Sequence, residues 1–573
     1  MLKISLFFPG QIALEKFKTA FQTERKRGGQ WTIDNWQSMK NLRLNLPMAL
    51  LLLAVLFVVF VRIRLLATPL ERDEGEFAYG GQLILQGIPP YKLFYNMKFP
   101  GIYAAYAAFM FLFDQSDSGI HFGLLLVNVA CIWLLYRLAR RFLDVPGAVA
   151  AAASYALLST SPVVLGLAAH ATHFVVAAAL AGLLLLLRGE DCGEAILFFC
   201  SGFLFGIACL MKQPGAFFGL FGFCLLVARG AREREQWRVH CRRIALYSTG
   251  LAAPLALTAA ILWQAGVFKR FWFWTIVYAT RHATVTSWSD AWWLLAGFLR
   301  SLSWTADGLF WLTAGVGLAS LALVKGEQRK KFWMAGFLVF SVVAVSLSNF
   351  FSSHYFVMLL PALCLLSGQA VSAAMQWARV RKPGKAWVFL PAGLFIFMWT
   401  LAVFHHRAIF FVLSPEQVCK KIYGANPFVE CRQVGLHLRE HSASDARIAV
   451  LGSEPEILFY ARRHSATGYI YMYDFFAPQP HAGEMQREMI AQIEEARPEY
   501  LVFVNHPVSW DTRHNFQRVA GTAVMTWAEN FEDQFYEPAG LVILKTASEY
   551  YWGGDALKRS PFPGLSISVL KRK

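Results

Sequence analysis

Long apolar runs alternate with short basic or aromatic breaks until about residue 404, where the pattern changes period. Runs near 45–66, 121–139, 146–161, 170–188, 195–211, 215–229, 244–264, 305–324, 332–348, 354–376 and 387–404 predict eleven membrane-spanning helices. Between the first two, residues 67–120 form a long polar interruption. It holds two short apolar stretches, GGQLILQG and GIYAAYAAFMFLF, each reading as a short helix on or dipping into the membrane. Beyond 405, ARIAVLGS (446–453), TGYIYMY (467–473), YLVFVN (500–505) and GLVILK (540–545) read as strands, with PEILFYARR and GEMQREMIAQIEEA as helices between them. The pattern predicts a polytopic α-helical membrane protein over 45–404, a segment 1–44 ahead of it, and a small α/β domain over 405–573.

Charge orients this arrangement. Lys16, Lys18, Arg25, Lys26 and Arg27 precede the first run, and alternate loops carry RLARRF, RGAREREQWRVHCRR, KGEQRKK and RVRKPGK. The positive-inside bias puts those segments in the cytoplasm, which leaves 67–120 and 405–573 on the periplasmic or extracellular side of a cell membrane. Of the 573 residues 56% are hydrophobic and only 16% charged, against about a quarter in soluble proteins. The net charge of +17 is accounted for by basic loops against anionic lipid, so no nucleic-acid partner is implied. A long, polar, basic N-terminus gives no sign of a cleavable signal peptide. Most of the 9 cysteines fall in apolar runs as packing residues. Cys419 and Cys431, twelve positions apart on the outer side, either form a disulfide or stay as thiols.

The stretch Leu70–Gly101 concentrates the chemistry. Asp73, Glu74 and Glu76 fall within four positions beside Arg72, and Lys98 precedes Phe99-Pro100-Gly101. Acids at a helix start can simply answer its dipole. A carboxylate there can also take a proton from an attacking hydroxyl, and a lysine before a turn can hold a phosphate or anchor a helix at the interface. Asp73 is the leading candidate base, with Glu74 and Glu76 supporting it. Lys212, in Lys212-Gln213-Pro214, breaks two apolar runs and is either a turn marker or a partner for an anion. His354 and Tyr355 open the tenth run, and His170 and His173 the fourth; each histidine is structural or within reach of a phosphate. Arg62 and Arg64 near the end of the first run snorkel or meet a lipid phosphate. Lys269, Arg270, Arg281 and His282 lie among aromatics as an interfacial belt or a groove for a sugar or prenyl chain. No HExxH motif, close cysteine pair or tight His-Asp cluster marks a metal site, and GSEPE at 452–456 lacks a nucleotide fingerprint.

RDEGEFAYGGQLILQGIPPY followed by NMKFPG resembles bacterial members of the protein O-mannosyltransferase superfamily, which includes the aminoarabinose transferases and has the GT-C fold. MKQPG (211–215), SSHYFVMLLPALCLLSG (352–368) and GSEPEILFYARRHSATGYIYMY (452–473) extend the resemblance over most of 45–475. It implies a metal-independent, inverting transfer of a sugar from a polyprenyl-phosphate donor to an acceptor hydroxyl at the outer face, without a cofactor. By matching position Asp73 is the base and Lys98 and Lys212 hold the donor phosphate, helped by His354; Arg72, His173 and Tyr355 would support them. The chain departs from that family at Glu76, at Phe99 and at His173. A ligase or polymerase using a diphosphate-linked donor, and a lipid-linked sugar transporter, are the rival readings. The partners expected are membrane lipid, the donor, and an acceptor the sequence does not identify.

Overall fold

The computed structural model describes residues 46–233, 236–282, 286–323, 327–347, 349–381, 385–476, 479–510 and 522–573. The expected segment 1–44 and the side chain of His282 lie outside them.

Every one of the eleven expected runs is helical. They are α1 (Leu46–Arg64), then, after two helices of the long interruption, α2 (Arg72–Leu85) and α3 (Gly101–Leu112), α4 (Asp117–Ala139), α5 (Val145–Leu158), α6 (Ala171–Cys192), α7 (Ala195–Met211), α8 (Ala216–Arg232) and α9 (Trp237–Gln264). There follow α10 (Trp288–Ser303), which corresponds to none of the eleven runs, and then α11 (Gly308–Leu323), α12 (Gln328–Ser346), α13 (Leu360–Arg381) and α14 (Lys385–His405). Among the described residues six helices are long and apolar enough to cross a membrane, and a seventh is reached if α10 and α11, bent by 104°, count as one span. Helices α5 and α7 are apolar but shorter.

The acids do not precede the helix of GGQLILQG; they form its first turn. Helix α2 begins at a capping box in which Glu71 accepts the Glu74 amide and Glu74 accepts the Glu71 amide. Far from lying on a surface, α2 is buried from Glu74 to Leu83, because it packs between α3 and the C-terminal part of the chain.

That part carries α15 (Pro415–Tyr423), α16 (Phe428–His441), β1 (Arg447–Leu451), α17 (Glu456–Ala461), β2 (His464–Ser465), α18 (Ala482–Ala496), β3 (Tyr500–Asn505), α19 (Ala523–Phe535), β4 (Tyr536–Ile543), β5 (Glu549–Trp552) and β6 (Ser566–Arg572). The sheet runs β2-β1-β3-β6-β4-β5. Strands β1, β2 and β3 are parallel, with Ile448 opposite Tyr500, while β6 is antiparallel to both β3 and β4. TGYIYMY is not a strand. Its backbone bonds to isolated groups on separate segments, Met472 N–H donating to Ser453 Oγ and Gly468 O accepting from Tyr95 N–H, so no ladder forms. One apolar core joins Phe77, Tyr103 and Tyr106 of α2 and α3 to Val434, Ile457, Val502 and Val569.

Cys419 and Cys431 are both free thiols, which removes the expected disulfide. They serve different packing: Cys419 sits with Phe428 and Val429, while Cys431 belongs to the core shared with α2.

Candidate active site

Helix α2 presents its first turn to a junction of four elements: the loop 96–101, the break between α7 and α8, the approach to α6, and the turn Ser353–Met358 before α13. The loops are tied to one another. Gln213 Nε2 donates to the Met97 carbonyl at 2.6 Å. Gly101 lies so close to the end of α7 that a Cβ there would meet the Leu210 carbonyl, which explains the glycine after Phe99-Pro100.

Asp73 is the acid at the centre. Its Oδ1 accepts from Lys98 Nζ at 2.8 Å, and its Oδ2 stands 3.9 Å from both His170 Nδ1 and His354 Nε2. Burial alone would raise its pKa, but Lys98, His354 and His170 together hold the carboxyl well below the usual carboxylate range. The other two acids are spent on structure. Glu74, besides capping α2, accepts the Ala169 amide at 2.5 Å and faces His121 Nε2 at 3.0 Å. Glu76 accepts from Tyr103 Oη at 2.5 Å and from Lys98 Nζ at 2.6 Å, with its side chain fully buried.

The two lysines expected to hold one phosphate differ. Lys98 stands between Asp73 and Glu76, so burial, which would lower its pKa, is overcome and the ammonium is held above its usual value. Lys212 ion-pairs with no carboxylate among the described residues. Its Nζ is 3.5 Å from His354 Nε2 and 3.8 Å from the centre of the Tyr355 ring. Burial pulls it down to about 7, with Asp73 opposing and Lys98 adding to the fall.

Arg72 turns away from these groups. It bonds Glu454 at 2.8 Å, the Ser453 carbonyl at 2.5 Å and Asn426 at 3.3 Å, fastening α2 to the GSEPE turn. Beside that turn Gly75 meets Glu456, whose carboxyl is pushed up to about 8 by burial and by the neighbouring Glu454. His173 is fully buried within α6, and neither of its ring nitrogens has a hydrogen-bond partner among the described residues.

Two further residues join the site: His170, which the sequence leaves as structural or within reach of a phosphate, and Tyr471, which it does not single out. His170 stacks on His354 at 4.2 Å, and both of its buried ring nitrogens lack hydrogen-bond partners among the described residues. Tyr471, from the segment expected to be a strand, donates to the Arg72 carbonyl at 3.2 Å and reaches within 3.5 Å of Asp73 Oδ1. Ligand atoms of Asp73, His170 and His354 all lie within 4.8 Å of one another. Two imidazoles and a carboxylate suit a divalent transition-metal ion, so the expectation that no residues cluster for a metal is revised. The three positions are too far apart in sequence to make a local motif.

Residues 98–263 match the family model for dolichyl-phosphate-mannose-protein mannosyltransferases. No curated protein sequence matches the chain. Among solved structures, it is similar to ArnT from Cupriavidus metallidurans bound to undecaprenyl phosphate, at 15% identity and TM-score 0.53 over 80% of this chain and 93% of that one. It is also similar to the oligosaccharyltransferase AglB from Archaeoglobus fulgidus in complex with an inhibitory peptide and a dolichol-phosphate, at 13% identity and TM-score 0.52 over 95% and 77%. The family match is confined to residues 98–263, and the likeness to the two solved structures, at 13–15% identity, is one of fold.

Proposed function

We propose that the chain transfers a sugar from a polyprenyl-phosphate donor to an acceptor hydroxyl with inversion, using Asp73 as base. The observation that carries this is that one junction holds both Asp73, kept ionised by its ion pair with Lys98, and a half-buried Lys212 that ion-pairs with no carboxylate among the described residues. The acceptor oxygen attacks the anomeric carbon and its proton passes to Asp73. The bond from that carbon to the donor phosphate oxygen breaks, and the electron pair leaves with the phosphate. Lys212, with His354 beside it, answers the charge that grows on the leaving group, which lowers the barrier more than it tightens ground-state binding. Lys98 keeps Asp73 ionised rather than touching phosphate. The bound polyprenyl phosphates of ArnT and AglB support a donor of this class. We further read all eleven apolar helices as crossings of a cell membrane, with 1–44 cytoplasmic and both 67–120 and 405–573 on the outer side.

A second reading is favoured by the Asp73, His170 and His354 grouping. These residues would hold a divalent ion, which would supply positive charge to a diphosphate-linked donor. The experiment is transfer from labelled undecaprenyl monophosphate and diphosphate sugars by purified protein, before and after chelation. Transfer from the monophosphate donor that survives chelation supports the first reading. Use of the diphosphate donor alone, lost on chelation and restored by manganese, replaces it with the second.

A further inference from the structure

At the opposite end of the bundle from Asp73 two cavities of about 340 and 180 Å³ adjoin, sharing Leu187 and Arg329. They open where α4 and α6 end and α12 begins. Helix α6 starts beside His170, so Leu187 lies roughly 24 Å further along its axis. That is close to the ~30 Å thickness of a bilayer's hydrocarbon core, which puts the two cavities and the Asp73 site near opposite membrane faces.

The upper wall is basic. Arg141, Arg229, Arg232, Arg329 and Lys330 line it, against Glu190, Glu233 and Glu327. Arg141 pairs with Asp191, Lys330 with Glu327 at 3.0 Å, and Arg229 with both Glu190 at 3.3 Å and Glu233 at 3.1 Å, while Arg329 shares Glu190 at 3.0 Å; each guanidinium has five N–H donors, so Arg229 and Arg329 keep donors for another acceptor. The lower wall is apolar, and Phe332 on it is 47% exposed on the flank of α12. Trp333 gives an independent sign. Its ring is 2% exposed, packed against Phe142 at 4.6 Å and Phe221 at 5.6 Å, yet its Nε1–H, a donor with no acceptor capacity, has no hydrogen-bond partner among the described residues.

We propose that this slot binds the phosphate of an anionic phospholipid. Arginine donors and the Trp333 N–H take the phosphate oxygens, and the acyl chains run down the exposed flank at Phe332. A neutral headgroup would leave the excess positive charge unanswered, and a soluble phosphate would not use the apolar wall. The binding is separate from transfer at Asp73.

The test uses the full-length protein in detergent, with phosphatidylglycerol, phosphatidylcholine or inorganic phosphate added, and reads retained lipid by native mass spectrometry and stability by thermal shift. Phosphatidylglycerol is expected to be retained and to stabilise, and phosphatidylcholine and inorganic phosphate are not. The triple change Arg141→Gln, Arg329→Gln and Lys330→Gln should weaken phosphatidylglycerol binding about a hundredfold. Trp333→Phe, which keeps the ring and removes the donor, should weaken it about fivefold. Equal retention of the two lipids by the parent protein, or matching stabilisation by inorganic phosphate, would overturn the proposal. If the triple variant does not fold, Trp333→Phe decides alone, and unchanged retention counts against the site.

Discussion

Lys98 and Lys212 enter the same junction from two different loops, and their surroundings are opposite. Lys98 touches two carboxylates within 2.8 Å. Lys212 has a histidine and an aromatic ring at comparable range and no ion-pair partner among the described residues. A half-buried cation with two anions is a finished structural unit, whereas a half-buried cation without one is costly until an anion arrives. The lesson is that charge in a site divides into groups that hold the base in its working form and groups that wait for substrate. Both lysines read alike in the sequence, since each stands in a short polar break beside a proline.

Asp73→Asn tests the first group and carries the largest expected effect. Transfer should fall by about 10⁴, at the upper end for loss of a general base, with the fold retained and donor still bound. Full activity would remove Asp73 from the chemistry. Lys98→Met should follow. It leaves Asp73 and Glu76 buried without their cation, at an expected cost of about 3–5 kcal/mol in unfolding. With Lys98 gone the Asp73 carboxyl rises, so it picks up a proton as pH falls and kcat/KM declines on the acid side. In the parent protein that carboxyl stays ionised well below its usual range, and no such decline should appear near neutrality. An unchanged acid limb in Lys98→Met would show that the ion pair does not tune the base.

Lys212 should respond in a different measurement. Lys212→Gln is expected to cost about 10²–10³ in kcat/KM for the donor, by analogy with loss of one oxyanion contact. Its pH signature is more specific. The free ammonium is pulled down to about 7, so above neutral pH the unliganded protein carries it neutral. A bound phosphate restores the charge, and donor binding at pH 8 should therefore take up a proton, visible as a buffer-dependent heat. Lys212→Arg, always charged, should abolish that uptake. The same shift has a stability consequence. Between about 7 and the ordinary value of 10.5 the unfolded chain binds the extra proton, so stability rises with pH across that window and is flat below it.

The readable and unreadable parts of the molecule divide by range. Each apolar run coincides with a helix because the spacing and length of apolar residues are local facts. Asp73, Lys98, Lys212 and His354 stand out because a charge or imidazole in an apolar chain is conspicuous wherever it lies. What no local pattern can carry is convergence: His170 gains meaning only when residues 73, 170 and 354 meet. TGYIYMY misleads for a physical reason. Its alternation is real, but the tyrosines reach from a strap into separate partners, Tyr469 to Glu488, Tyr471 to Arg72 and Tyr473 to the Val508 carbonyl, and not onto a sheet face. The sequence does not mark β6 although SISVLKR alternates, because its partner β3 lies far off in sequence, and β5, which folds back on the adjacent β4, is only 4 residues long.

Gly75→Ala asks whether the C-terminal part holds α2 in place. An added Cβ would stand 2.5 Å from Glu456 Cβ and 2.7 Å from its backbone, which cannot move cheaply. Overpacking of this kind is expected to cost about 1–3 kcal/mol, read by thermal unfolding, and to lower transfer because the shift falls between Asp73 and Glu76. Retained stability with normal transfer would mean the two layers slide freely.

Tyr471→Phe makes the smallest change and separates positioning from charge. The phenol donates to the Arg72 carbonyl and stands 3.5 Å from Asp73 Oδ1, so its hydroxyl fixes the backbone that carries the base, while the ring, which Phe keeps, lies 5.7 Å from Lys98 Nζ. Removing one hydroxyl of this kind is worth about 1 kcal/mol, or roughly fivefold in rate. The loss should fall on kcat, with donor KM and the proton uptake of Lys212 unchanged, since the phosphate side of the site is left intact. A rise in donor KM instead would place Tyr471 on the phosphate side with Lys212, and the division between the two lysines would have to be drawn elsewhere.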